Sequence, residues 1–350
     1  MLQDFEELNQ RVSEIQKETL TEHRIVILPD FFLDHFIHIQ NEEKTFSDFK
    51  SVKNQKGGSI TPITQRLQAG GNGANIAYHL AKLGMMPILI CSTDLLGKHL
   101  LDYFFKDLQV DLTHLKTDGQ LAMTAAIELG QTHTNIMLSD PGSVDGFCFE
   151  HLNEEDLELI AQADIVALLN WNNNSKATDL AEKLFTYAHS HNTTTFLDTG
   201  DPYSKIDEIP VLKQKILSSE KLDIFGLNEN ELAYYANSTF STDEEMIHTA
   251  QQLKQSIPAR IDLHTSELSA SVNKHDSIVI PTIPTQQIQR ITGAGDSWTA
   301  ANLFATLLGF SDEQRLLFSN LYAHQYISTL EDSQLSLDNL QKKLNNLKTI

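Results

Sequence analysis

The stretch Thr292-Gly293-Ala294-Gly295-Asp296-Ser297, running straight into the apolar segment Trp298 to Leu308, decides how this chain is read. Small residues let backbone N–H groups approach an anion closely, and the helix that follows adds its positive N-terminal end. Asp296 has two readings there. It is an N-cap carboxylate, which stabilises a helix by about 1 kcal/mol. Or it is a general base that takes a proton from a hydroxyl while the glycine backbone holds a phosphoryl group. A second glycine-rich turn lies upstream, Gly70-Gly71-Asn72-Gly73-Ala74-Asn75. It opens a helical pattern with Ile76, Leu80 and Leu83 on one face and Gly84 as its stop. Asn75 either caps that helix or offers both donor and acceptor to a ligand hydroxyl. A dinucleotide fingerprint needs Gly-x-Gly-x-x-Gly directly after the first strand. This turn comes too late in the chain and lacks that spacing, so dinucleotide binding is rejected.

Outward from these turns, strand and helix alternate. Arg24 to Leu28 is an apolar run ended by Pro29-Asp30, as in a buried parallel strand. Further strands are read at Pro87–Cys91, Asp164–Leu169, Thr194–Leu197, Leu222–Phe225 and Ala259–Leu263, with helices near Gly97–Leu108 and Ala177–His189. The alternation predicts an α/β fold: a central, mostly parallel sheet with helices on both faces and ligands at the carboxyl ends of its strands. Residues 31–69 break the pattern. Phe36–Gln40 and Ile60–Leu67 read as strands around a charged stretch through Gly57-Gly58. Ala122–Leu129 and Thr134–Leu138 form a second pair, broken at Gly130-Gln131. With no helix expected between them, segments 36–67 and 122–138 read as a small β subdomain inserted into a body spanning 21–330. An amphipathic helix in 1–20 (Phe5, Leu8, Val12, Ile15) precedes the body, as a packed cover or a dimer contact. A C-terminal helix, Ser336–Leu347 within 331–350, follows it, with Lys342, Lys343 and Lys348 near its end.

Composition narrows the partners. The 350 residues carry a net charge of −21, which opposes a nucleic-acid backbone and, without a local remedy, any anionic substrate. Two cysteines, Cys91 and Cys148, exclude a disulfide scaffold and point to a reducing compartment. No apolar run reaches the roughly 18 residues of a membrane span. The acidic Asp4, Glu6, Glu7 and Glu14 do not suit a signal peptide. A cytoplasmic protein with no membrane partner is expected, and the sequons at Asn173, Asn192 and Asn237 then carry no weight. His35 and His38, and His189 and His191, are paired without further clustered ligands, so no dedicated structural metal site is expected.

Together the two glycine turns resemble the signatures of the ribokinase-like, PfkB-type family of carbohydrate kinases. Ser92-Thr93-Asp94-Leu95-Leu96-Gly97 resembles that family's acidic-Gly turn, and Asn228-Glu229-Asn230-Glu231 its Asn-x-x-Glu motif, in the right order. The resemblance covers roughly Ile25 to Leu330. It implies a body of nine or so strands, a β lid made by the inserted segments, and Mg²⁺-dependent transfer of a phosphoryl group from ATP to a sugar-like hydroxyl. Carried over by position, Asp296 is the catalytic base, and Gly293, Ala294 and Gly295 form an anion hole through their amides. Asn228 and Glu231 organise Mg²⁺ and its waters, Gly71 and Asn75 contact the substrate, and Asp34 grips sugar hydroxyls. A homodimer through the lid is a further expectation.

Three departures stand out. The family's Thr-x-Gly-x-x-Gly segment is Leu263-His264-Thr265-Ser266-Glu267-Leu268 here, without glycine, which leaves ADP open as the donor beside ATP. Arg290-Ile291 replaces the residues before Thr292; Arg290 meets a phosphate or makes a surface salt bridge. The Asp-x-Asn-x-Arg pattern becomes Asp198-Thr199-Gly200-Asp201, whose carboxylates hold metal or substrate, or simply turn the chain. Trp171, followed by Asn172, Asn173 and Asn174, either stacks on a ligand or covers the core edge. The competing readings of the whole are a non-catalytic sugar- or nucleotide-binding protein on this fold and an ADP-dependent sugar kinase.

Overall fold

The apolar runs become a sheet buried on both faces. The structure, a computed structural model, describes residues 2–130, 134–285 and 287–347. Gln131 of the expected lid break and Lys348 of the C-terminal cluster lie outside them. The body sheet contains β1 (Ile25–Leu28), β4 (Ile88–Leu89), β7 (Ile165–Leu168), β8 (Thr194–Asp198), β9 (Ile224–Asn228), β10 (Arg260–His264), β11 (Leu268–Val272) and β12 (Ser277–Pro281). Its order is β12-β11-β10-β9-β8-β7-β1-β4, parallel except where β11 pairs antiparallel with β10 and β12. Ile25, Ile27 and Ala167 join one apolar layer with the helices Asn72–Lys82, Ala294–Leu307 and Asp312–Ile327. Val26, Leu28 and Val166 join the other with Ala177–Ser190 and Asp243–Lys254. Alternate residues of one strand thus serve both faces.

A second sheet has four strands, in the order β3-β2-β5-β6: β2 (Phe32–Ile39), β3 (Thr64–Gly70), β5 (Ala122–Leu129) and β6 (Thr134–Asp140). β2 continues directly from β1, and β3 runs directly into the Gly70 turn.

Several expectations are corrected. The charged stretch inside 36–67 is a helix, Glu42–Asn54, so that segment is not β throughout. The Asn41 side chain caps it by accepting the Lys44 amide at 3.0 Å. Phe49 and Val52 close on Ile37, Ile39, Ile60 and Ile63 around a pocket of about 270 Å³. Acidic and basic residues at most other positions hid this sparse apolar stripe. Among the described residues the body sheet has eight strands, in line with the nine or so expected. Beyond β4 the chain makes only single bridges, Ile88 to Asp111 and Ser92 to Lys116, because the Asp111 carboxylate folds the strand into a turn by accepting the Thr113 amide at 2.9 Å. The strand read at Pro87–Cys91 shrinks accordingly to β4, and the β11–β12 hairpin was not anticipated. The amphipathic N-terminal segment is helical over Leu2–Ser13 and then turns into a 3₁₀ segment, Lys17–Glu22. The helix expected near Gly97–Leu108 is Leu95–Phe104, and the final helix is Leu337–Leu347. Among the described residues, no helix is long and apolar enough to cross a membrane.

Candidate active site

The carboxyl ends of β1, β8 and β9 meet the starts of the helices Asn72–Lys82 and Ala294–Leu307. Asp30, just past β1, is fully buried. Its Oδ1 accepts the Gly73 amide at 3.0 Å, its Oδ2 accepts Asn170 Nδ2 at 2.8 Å, and its carbonyl accepts the Ala74 amide at 3.1 Å. The glycine turn closes on this carboxylate. Gly71 has φ +86°, and a Cβ on it would lie 2.6 Å from Asp30 Oδ2. A Cβ on Gly73 would lie 2.8 Å from the Asp30 carbonyl. Gly70 abuts the carboxylate of Asp34, which sits within β2 opposite Gln68 and Thr124. The glycines therefore make room for two carboxylates. Sequence reasoning missed Asp30, although an acid directly after a buried strand was the signal that could have found it.

Asn75 is not a cap; the helix starts at Asn72 with Gly71 before it. Its Nδ2 instead donates to Asp296 Oδ2 at 2.8 Å, across 221 positions of sequence. Asp296 is not a cap either. The helix Ala294–Leu307 begins after Gly293, whose left-handed backbone (φ +85°) brings it against Tyr326. Tyr326 Oη donates to the Thr292 carbonyl at 2.7 Å. The Ala294 amide, one of three expected to hold an anion, is engaged by the Ile291 carbonyl at 3.0 Å. The amides of Gly293, Gly295 and Asp296 have no acceptor among the described residues.

The carboxylates raise one another's proton affinity. Burial is the main cause and takes Asp296 up to about 8, against the opposing hydrogen bond from Asn75; Asp198, Asp30 and Asp34 add to the rise. Burial likewise takes Asp34 to about 7, and Asp30 and Asp198 to about 6. Glu231 is pushed well above the usual carboxylate range, by burial first and then by Asp198.

Asn228 and Glu231 form a reciprocal cap on the helix Glu229–Ala236. Asn228 Oδ1 accepts the Glu231 amide at 3.0 Å, and its Nδ2 donates to Glu231 Oε1 at 2.9 Å. The cap holds this buried carboxylate where the charge of Asp198 acts on it. Among the described residues, no group of three His, Cys, Asp or Glu side chains forms a ready metal site. The oxygen donors of Asp198, Asn228 and Glu231 nonetheless suit a hard, water-carrying cation such as Mg²⁺. Asp198 Oδ1 accepts the Gly200 amide at 3.0 Å, whereas Asp201 caps the next turn by accepting the Tyr203 amide at 3.0 Å.

The other open choices resolve similarly. Trp171 is fully buried and donates to Thr178 Oγ1 at 2.8 Å, with Lys205 Nζ 4.3 Å above its ring, so it covers the core. Its neighbour Asn172 keeps a buried Oδ1 without a partner. Arg290 is held by the Tyr326 carbonyl at 3.0 Å and by Asp332 at 3.1 Å, with its guanidinium 4.0 Å from the Tyr326 ring centre. The segment 263–268 is the end of β10, a turn tied by the Thr265 hydroxyl, and the start of β11. His264 stacks on Trp298 at 4.9 Å, and a Cβ on Gly295 would lie 3.0 Å from its Nε2. The lid reaches the same motif, with Asn135 Nδ2 of β6 donating to Thr292 Oγ1 at 3.0 Å.

A mostly parallel sheet, a glycine turn closed on buried acids, a glycine-led helix presenting Asp296 and a four-stranded second sheet make up the fold of the described residues. The chain belongs to the pfkB family of carbohydrate kinases, whose pattern it matches over residues 44–338. Solved structures agree in fold. Ribokinase from Arabidopsis thaliana, complexed with ribose and ATP, superposes with a TM-score of 0.72 at 19% identity, covering 94% of this chain and 99% of that one. Adenosine kinase from Sinorhizobium meliloti gives 0.72 at 17% identity, covering 93% and 98%. Ribokinase from Cryptococcus neoformans var. grubii serotype A in complex with ADP gives 0.69 at 15% identity, covering 92% and 99%. In sequence, the chain is 20% identical over 341 residues to the bifunctional protein HldE of Sulfurimonas denitrificans. The match takes in 91% of this chain, which spans 64% of that relative's length.

Proposed function

We propose that the protein transfers the terminal phosphoryl group of a nucleotide, ATP in the first instance, to a hydroxyl of a sugar-like acceptor, with Asp296 as general base. The observation that carries this reading is the contact between Asn75 and Asp296. It joins the two glycine motifs and aims a carboxylate of raised proton affinity at the mouth of a helix with unengaged amides. The acceptor hydroxyl gives its proton to Asp296 as its oxygen forms the new O–P bond. The bond from phosphorus to the nucleotide's bridging oxygen breaks, and its electron pair leaves with the nucleotide. A base with a proton affinity near neutrality suits that step. Asn75 orients the carboxylate, and Asp34 and Gly71 hold the acceptor. The amides of Gly293 and Gly295 meet the charge on the phosphoryl oxygens. Asp198, Asn228 and Glu231 would hold Mg²⁺ through its waters. When bound, the ion would supply positive charge for the phosphates.

The sheet β3-β2-β5-β6 acts as a lid that excludes water from the transfer. Its edge strands β3 and β6 offer the contact for a homodimer. Transfer of labelled phosphate from ATP and from ADP, each with Mg²⁺, to a panel of sugars and nucleosides tests the reading. Product from at least one acceptor is expected with the native chain, formed at least about 10²-fold more slowly with Asp296→Asn. No product with either nucleotide would overturn it.

A further inference from the structure

The inner face of the lid carries a charge arrangement that bears on which acceptors enter. Side chains alternate along a strand, so register assigns the faces. Asp34 lies opposite Thr124, and Thr124 opposite Ser139. Two residues further along, Phe36 lies between Arg66 and Ala126; two further still, Glu128 lies between His38 and Asn135. Asp34 abuts Gly70 and Asn135 bonds Thr292, so this is the face turned to the site. Among the described residues, Arg66 is the only arginine or lysine on it. Arg66 is not free. Its two terminal nitrogens bond the two carboxylate oxygens of Glu128 at 3.0 Å each, and its guanidinium lies 4.1 Å from the Phe36 ring centre. The His38 ring is also drawn to Glu128, with Nδ1 at 3.8 Å from Oε2. Beneath the lid, Asp30, Asp198 and Asp296 form the floor, with Asp34 of β2 facing them, and Arg290, the cation nearest the Thr292 motif in sequence, is spent on Tyr326 and Asp332.

We infer that the acceptor is an uncharged polyhydroxylated molecule, a free sugar or nucleoside and not a sugar phosphate, and that Glu128 enforces this choice by engaging Arg66. A phosphorylated acceptor brings close to two negative charges to a floor of carboxylates. It needs a fork of N–H donors to compensate, and a planar guanidinium gives a carboxylate and a phosphate the same two-point grip. Here the carboxylate already holds that grip. Hydroxyls, by contrast, find a matching acceptor in Asp34 and neutral partners in Thr124 and Ser139.

The inference deepens the kinase reading, but its test uses binding alone. Titration calorimetry without nucleotide compares neutral aldoses, ketoses and ribonucleosides with monophosphates of the same sugars. At least one neutral compound is expected to bind, at least about tenfold more tightly than its phosphorylated counterpart. Glu128→Gln frees Arg66 and should narrow that ratio at least fivefold by strengthening the phosphorylated member, with the neutral member within about twofold of native. A thermal melt within a few degrees of native confirms that the variant is folded. A phosphorylated sugar as the tighter ligand, binding of no neutral compound, or an unchanged ratio in Glu128→Gln would each overturn the inference. Selective neutral binding without phosphoryl transfer from ATP or ADP would leave it standing and would sink the kinase reading instead.

Discussion

The body sheet and the lid sheet are built on different terms. In the body, β1 and β7 are buried at every position, between two apolar layers. In the lid, β6 is exposed along its whole length and β3 over its first four residues, with Leu67, Met123, Ile136 and Leu138 in the open. The groups read as catalytic stand on the body, where close packing fixes a carboxylate to a fraction of an ångström. The groups inferred to choose the acceptor stand on the lid, which, among the described residues, is hydrogen-bonded to the Thr292 motif through Asn135. Chemistry on the rigid sheet and selection on the exposed one is a division that substitutions can test.

The largest effect belongs to the floor. Asp296→Asn keeps the shape and removes the base, so kcat should fall by about 10²- to 10⁴-fold. Acceptor affinity, measured by calorimetry, should stay within a few-fold. A variant that turns over within a few-fold of native would move the base elsewhere and break the division at its centre.

Next come the ion pairs of the two sheets, which look alike on paper. In the body, Arg315 is buried against an equally buried Asp262, at 3.0 Å, and also engages Ser271 and Asp312. Removing it leaves the buried Asp262 with Arg260 as its remaining cation, beside Asn302, so Arg315→Met should destabilise the protein by about 3 kcal/mol, the low end for breaking a buried pair. In the lid, Arg66 is 53% exposed, and Arg66→Met should change stability by less than about 1 kcal/mol. Denaturant titration of both variants measures the contrast. Similar losses would mean that the lid is as integral to the fold as the body.

The same contrast explains what could be read from the sequence. Ile25-Val26-Ile27-Leu28 and Ile165-Val166-Ala167-Leu168 are buried on both faces, so they are apolar without interruption and visible as strands. The two glycine motifs were legible because close approach to Asp30 and the left-handed turn at Gly293 leave little choice of residue. The helix Glu42–Asn54 was hidden because it packs on one side only, and Phe49 and Val52 are too few among charges to show a period. The contact between Asn75 and Asp296 joins positions 221 apart, and the proton affinity of Asp296 depends on Asp30, Asp34 and Asp198 arriving from separate strands. Neither is written in any local stretch. Glycines in the Gly70 turn announced a ligand loop, yet part of what they make room for is the protein's own carboxylates.

Acidity gives the next effect, about tenfold per pH unit. With Asp296 held near 8 by burial and its neighbouring carboxylates, most of the free enzyme carries the protonated, inactive form at neutral pH. Since kcat/KM follows the free enzyme, it should rise with pH and level off above about 8. Stability runs the other way. The folded group binds its proton more tightly than the unfolded one, so the stability it contributes is full below pH 4 and is lost as pH rises through about 8. Melting temperature measured from pH 5 to 8 should therefore fall less steeply in Asp296→Asn than in the native chain. Parallel slopes in the two proteins would show that Asp296 is not held in this state.

The smallest effect tests the hinge of the comparison, the contact between the sheets. Asn135 Nδ2 and Thr292 Oγ1 lie 3.0 Å apart and exposed, so water can replace either partner. A hydrogen bond of this kind contributes about 1 kcal/mol net, and Asn135→Ala should raise the acceptor KM by about fivefold at nearly constant kcat. The reason for that split is that the bond helps to close the lid over the acceptor without touching Asp296 or the amides of Gly293 and Gly295. A fall in kcat with KM unchanged would mean that Asn135 acts on the transfer itself, through the Thr292 turn that leads into Gly293. The lid would then share in the chemistry, and the division between the two sheets would have to be redrawn along β6.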